Sequence, residues 1–398
     1  MNHLTIVLVL ALVAQAASAP SDTTLAIAGR ANATPWVAAS GATVAVAWTV
    51  VTEGRNGDVY VAMSGDGGAT FATPVRVNTM AGEARINGEL APRVTIFERR
   101  GQAPIVSVTW NAKDGLMQVK AARSTDGGKT FAAPTALQAA GAPADRGWQA
   151  SAFDGKGTLH SFWLDHRGMA GGDRAAMSGD HDGVATAQRS SLYYRADGGA
   201  ERELLKGVCY CCKTAMAIGA KGEIYAAWRH VFAGNMRDMG FTMSRDGGKT
   251  FSPLLRVNQD GWSIHGCPDD GPAMAVDAKG TIHLAWPTVQ NEQGGILYAT
   301  SPDGVAFSTP MRVKTLGGPK PSHPQVAVDA TGRVMVAWDE SANGVRTAAI
   351  TTPGGSGAPV VLGRATTYPM LAATNAGFIA AWTSGPADRS VINVRRIR

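Results

Sequence analysis

The stretch that decides the fold is S-T-D-G-G-K-T-F, Ser124 to Phe131. It returns as S-G-D-G-G-A-T-F (Ser64 to Phe71) and S-R-D-G-G-K-T-F (Ser244 to Phe251), with weaker copies at Ser301 to Phe307 and Arg195 to Gly199. Each copy reads as a hairpin turn: the carboxylate accepts turn amides, and the glycines take left-handed positions. Around these turns a strand-like phrase recurs and ends in tryptophan: V-A-V-A-W (Trp48), V-S-V-T-W (Trp110), L-H-S-F-W (Trp163), I-Y-A-A-W (Trp228), I-H-L-A-W (Trp286), V-M-V-A-W (Trp338) and F-I-A-A-W (Trp382). The tryptophans lie 44 to 65 residues apart, the period of a propeller blade.

Each unit reads as four short strands, with turn signals every 8 to 12 residues. The pattern predicts an all-β chain, a β-propeller of four-stranded blades. The count favours seven blades, with six as the alternative. The last unit runs out after three strands, and T-T-L-A-I-A-G (Thr23 to Gly29) is the candidate to complete it. Pairing the two termini would remove an exposed edge.

At the level of the S-x-D-x-G-x-T-F turns, the sequence resembles the sialidase-like β-propellers that carry Asp-box (bacterial neuraminidase) repeats. The resemblance spans nearly all of the chain after its first residues. It implies a structural role for the box, between the third and fourth strands of a blade and on the face opposite the active site. It also implies exo-α-sialidase chemistry, which requires an arginine triad, a tyrosine–glutamate nucleophile pair and an aspartic acid/base. The candidates at matching loops are Arg93, Arg167, Arg229 and Arg237 for the carboxylate; Tyr368 or Tyr210 with Glu89 or Glu340; and Asp165. The F-R-I-P phrase of that family is absent, and P-R-V at Pro92 to Val94 stands nearest to it. Sialidases have six blades, a second departure.

An apolar run from Leu4 to Ala14, followed by A-Q-A and A-S-A, has the layout of a secretory signal peptide. We therefore expect residues 1–19 to be removed and residues 20–398 to form a single propeller domain in the periplasm or outside the cell. No other segment is apolar enough to span a bilayer. The net charge of +6 is dispersed, which argues against a nucleic-acid partner and suits an anionic small ligand or a glycan. A monomer is expected.

In a propeller, the loops entering the innermost strands and those leaving the second strands share one rim. Here they bring G-V-C-Y-C-C-K (Cys209, Cys211, Cys212), W-S-I-H-G-C-P-D-D-G (His265, Cys267, Asp269, Asp270), His323 and Tyr368. The loops after the tryptophans add Asp165, His166, Arg167, Arg229, His230, Arg237, Asp339 and Glu340. Two readings of the four cysteines stay open. In an exported protein they form disulfides, Cys209–Cys212 and Cys211–Cys267 being the spacing-compatible pairs. Alternatively Cys209, Cys211, Cys212 and Cys267, with His265, His323, His166 and His230, make a soft-metal site for copper or zinc, or a redox centre. Function thus divides between a glycan-directed propeller, enzyme or lectin-like, and an exported metal-binding or redox propeller. His160 and His283, within strand phrases, are expected to pack between blades.

Overall fold

The computed structural model describes residues 22–141, 143–169, 183–264, 266–342 and 344–398. The signal-peptide reading, His265 and most of the loop after Arg167 lie outside them. The chain is all-β. Among the described residues the strands form antiparallel sheets, five of them four-stranded, together with a nine-stranded one.

Among the described residues, six four-strand meanders follow one another along the chain, and a seventh unit contributes three strands. The first strands are Asn32–Ser40, Arg93–Arg99, Arg146–Phe153, Ala215–Ile218, Ala273–Val276, Ser322–Val328 and Thr366–Thr374. The nine-stranded sheet contains units one and two, joined by the two-residue strand Ala84–Arg85, which pairs with both. In unit seven the missing strand is supplied by Thr23–Leu25, whose residues pair with Val394, Asn393 and Ile392. The seam is reinforced by Asn32, whose amide donates to the Ser390 carbonyl, and by an Asp22–Arg395 ion pair.

Successive first strands touch in chain order, and the first strand of unit seven touches that of unit one. The core is divided accordingly. Apolar clusters lie between neighbouring units, for example Val46 and Trp48 with Ile379 and Ala381, and Phe241 with Leu284 and Trp286. All seven repeat tryptophans are buried. Truncating such a side chain typically costs about 3–5 kcal/mol.

The S-x-D-x-G-x-T-F turns connect third to fourth strands, as expected. Asp66 accepts from the Ala69 and Thr70 amides and from the Thr70 hydroxyl at 2.6 Å, and the same bonds recur at Asp126. The closing phenylalanine reaches the preceding unit: Phe251 packs on Phe162 and Tyr194, and Phe307 on Phe241. In a meander the turn after strand three and the entry to strand one lie at opposite ends. The entry loops therefore form a surface of their own, away from these turns.

Candidate functional site

The entry to the first strands is shaped by a recurring bulge. The register slips at Ala33/Trp36, Gly147/Ala150, Ser322/Gln325 and Thr367/Met370. At each slip one non-glycine residue takes a left-handed backbone: Thr34, Trp148, His323 and Tyr368, with φ between 50° and 54°. Proline follows three of them, fixing the chain as it enters the strand. In units one, three and seven the residue after the preceding unit's tryptophan satisfies the bulge amide: Thr383 for Thr34, Asn111 for Trp148 and Asp339 for Tyr368.

Units four to six cannot use that device, because Leu164, Arg229 and Pro287 occupy the corresponding positions and offer no acceptor side chain. Two carboxylates from elsewhere take over. Glu89 accepts from the amides of Lys213 and Gly271, each at 2.7 Å, and Asp270 accepts from His323 at 2.9 Å. Glu89 sits in a single helical turn, Gly88–Leu90, capped by the Asn87 side chain. Its other oxygen is 3.0 Å from the ammonium of Lys213, which also donates to the Gly271 carbonyl. Burial is the largest influence and would raise the Glu89 pKa, but the charges of Lys213 and His323 and the hydrogen bonds from Lys213 together hold the carboxyl below its ordinary value.

Over this buried pair stand groups from units five to seven. His323 holds Nδ1 3.0 Å from both oxygens of Asp339, and Asp339 is also gripped by Arg346. Burial alone would lower the His323 pKa; Asp339, with Asp270 and Glu89, more than reverses it, so the imidazole is shifted toward its charged form. The Tyr368 ring lies 4.5 Å from that of His323 and against Gly88, where a Cβ would come within 1.9 Å of the ring. Position 88 therefore has to be glycine. Asp269, in a left-handed conformation (φ 51°), reaches solvent beside the Asn87 amide. Its carboxyl is pushed up to about 6, by desolvation against the rim and then by the charge of Glu89.

Directly before Lys213 lie the thiols. Cys209, Cys211 and Cys212 are buried, with all three sulfur–sulfur distances at 3.8 Å. All four cysteines are free, so neither disulfide pairing is present, and Cys267 packs against the trio half-buried. Arg237 donates to the Cys209 sulfur at 3.3 Å, and the Asp270 amide to that of Cys212 at 3.5 Å. Hydrogen bonds from the two neighbouring thiols, with the Arg237 charge, hold the Cys209 thiol well below its usual range; burial pushes Cys211 and Cys212 up.

The remaining sequence-derived candidates are dispersed. Asp165 is enclosed by Arg146, Arg167 and the Trp163 indole, and Glu340 by the Trp338 indole and the Gly318 amide. Neither accompanies Tyr368, whose carboxylate neighbours are Asp339, Glu89 and Asp269. Arg93 is buried over the Trp36 ring and donates to the Thr214 carbonyl; Arg167 pairs with Asp165 and Glu201. Arg229 spends its guanidinium on the carbonyls of Asp270, Arg237 and Pro287. The four arginines thus serve separate partners. Tyr210 is buried among the thiols, and burial pushes its phenol up to about 12.

His166 tilts over Trp148, and His230 accepts from the Trp228 indole; burial lowers both to about 4. No imidazole among the described residues joins the thiol group. His160 and His283 bond Tyr194 and Tyr298 inside their sheets. Lys213 and Arg346 were missed in the sequence. The signal for Lys213 was its place two residues before inner-strand pairing begins at Ala215, as His323 and Tyr368 stand, before prolines, two residues ahead of the resumed pairing at Gln325 and Met370.

No family model matches the chain, and no curated protein matches it. Solved structures do. A polysaccharide lyase of family PL25, an ulvan lyase, aligns with a TM-score of 0.57 at 12% identity, covering 92% of this chain and 94% of its own. A protein of unknown function from Dyadobacter fermentans DSM 18053 aligns with a TM-score of 0.52 at 14% identity, covering 95% and 98%. The Hadza microbial sialidase Hz136 aligns at 0.45 and 16% identity, covering 88% and 76%, too distant to weigh. At these identities the likeness shows a propeller-like fold, and no helix among the described residues is long and apolar enough to cross a membrane.

Proposed function

We propose that residues 20–398 form a single seven-bladed propeller, exported after loss of residues 1–19, that binds or processes a glycan at its entry rim. The observation that carries this reading is the convergence of ionisable side chains from five units on one end: Glu89, Lys213, Asp269 with Asp270, His323 with Asp339, and Tyr368. The first-strand contacts that return from unit seven to unit one support the ring, and the repeating hydrogen bonds support Asp boxes as its turn staples.

The chemistry of the rim suits a sugar. Carboxylates accept from hydroxyls, an aromatic ring stacks on a sugar face, and a charged imidazole donates. Tyr368 beside Glu89, with Asp269 at the solvent edge, is the arrangement here that comes nearest to a tyrosine–carboxylate pair with a separate acid. The matched ulvan lyase acts on a polysaccharide, which agrees with this class of ligand.

The test is binding and turnover on neutral and acidic polysaccharides, including ulvan, and on a fluorogenic sialoside. Binding or cleavage of any of them, weakened at least about tenfold in Tyr368→Ala and His323→Gln, is the expected result. A folded protein that binds none of them at millimolar concentration sinks the reading, as does binding indifferent to both substitutions.

A further inference from the structure

The thiols beneath the rim have no part in holding a glycan, yet their geometry is specific. The three sulfurs form an equilateral triangle with edges of 3.8 Å, each side chain at most 5% exposed. A disulfide would draw two of them to about 2.05 Å. Left as neutral thiols they would offer one another only weak hydrogen bonds. The edge suits another occupant: an ion about 2.3 Å from each sulfur would sit only about 0.7 Å out of their plane. That leaves an apex, and Cys267 packs against the trio.

The surroundings point the same way. Arg237 is fully buried and donates to the Cys209 sulfur and the Ile264 carbonyl. Negative charge nearby stabilises a buried guanidinium, and the Cys209 sulfur is the group placed here to carry it. The Asp270 amide on Cys212 and the Arg237 contact on Cys209 are the outer hydrogen bonds that orient thiolate ligands. The loop itself is pinned, since the Cys209 amide donates to the Arg229 carbonyl at 2.8 Å and Val231 to Gly207 at 2.9 Å.

We propose that Cys209, Cys211 and Cys212 hold one thiophilic d10 cation, zinc or copper(I), with Cys267 as the apical fourth ligand. An all-sulfur donor set selects soft ions over magnesium, calcium or manganese. The site does not rest on the glycan reading, because Tyr368 and His323 supply no ligand to it and Asp270 meets it only through a backbone amide.

The experiment uses the full mature chain, purified without chelator or reductant and then handled without oxygen. Portions receive zinc or copper(I), are desalted, and are assayed for metal content and for thiols open to a disulfide reagent. About one ion per chain retained in one arm, with the trio protected from reagent, is expected; zinc and copper(I) retention tell the two ions apart. Cys209→Ser, Cys211→Ser and Cys212→Ser should each lower retention at least about tenfold with the strand spectrum unchanged, and Cys267→Ser should lower it less. Tyr368→Ala should retain the ion in full. Retention below about 0.1 ion per chain in both arms overturns the proposal. So does full retention by the triple serine chain, or an intact mass showing the trio disulfide-bonded as isolated.

Discussion

At the turn end, three hairpins from units one, two and four repeat one set of bonds: the serine hydroxyl reaches its aspartate at 2.7, 2.7 and 2.8 Å, and the threonine hydroxyl reaches the same carboxylate at 2.6 Å each time. At the entry end, units one, three and seven share a bulge with its own acceptor after the preceding tryptophan, while units four, five and six have lost that acceptor and lean on Glu89 and Asp270. Every partner in the turn lies within eight residues, so each copy survives on its own sequence. Partners at the entry end come from other units. One unit can change there only if another compensates, and side chains with useful chemistry have gathered where the compensation occurred.

The comparison predicts unequal costs. Glu89→Ala leaves the amides of Lys213 and Gly271 without their acceptor, and the buried Lys213 ammonium without its counter-charge and with only the Gly271 carbonyl. We expect a loss of about 3–5 kcal/mol in urea unfolding. A loss near that of an ordinary surface change would mean that the entry end is not held by this carboxylate.

Acid should separate the ends next. His166 and His230 are buried and neutral in the folded chain, with values near 4 against an ordinary 6.5. The unfolded chain binds those protons first, so stability is complete above about pH 6.5 and falls as pH drops toward 4, by about 3 kcal/mol for His166 alone. His166→Phe should flatten that slope by one proton. The turn aspartates are held well below the carboxylate range by Thr70, Ser124 and their equivalents, so their contribution is lost only at still lower pH.

The smallest effect belongs to the turns. Ser64→Ala, Ser124→Ala and Ser244→Ala should each cost about 1 kcal/mol and add in the triple variant. Coupling among them would show that the turn end is less modular than its bonds suggest.

The legibility of the sequence follows the same division. The hairpin turns, the tryptophan strands and the N-terminal closing strand could be read because local chemistry repeats at a fixed period. The pairings between the rim loops could not be read. Lys213 and Glu89 are 124 residues apart and Asp270 and His323 are 53, and nothing in either segment alone announces its partner. Asp165 and Glu340 looked like free acids after a tryptophan; in the structure they bond that tryptophan's own indole. The alternation of a strand, two residues on, could have warned of it.

The closing strand has a consequence for the order of assembly. Thr24 and Asn393 are separated by 369 residues, and bringing such distant points of a free chain together costs on the order of 5 kcal/mol in loop entropy. Three residues of pairing return too little to hold the ends alone. The latch therefore fastens only after the intervening units have stacked and brought the ends into register. Its amides should be the last to gain protection from hydrogen exchange during refolding, and the first to lose it when any blade between them loosens.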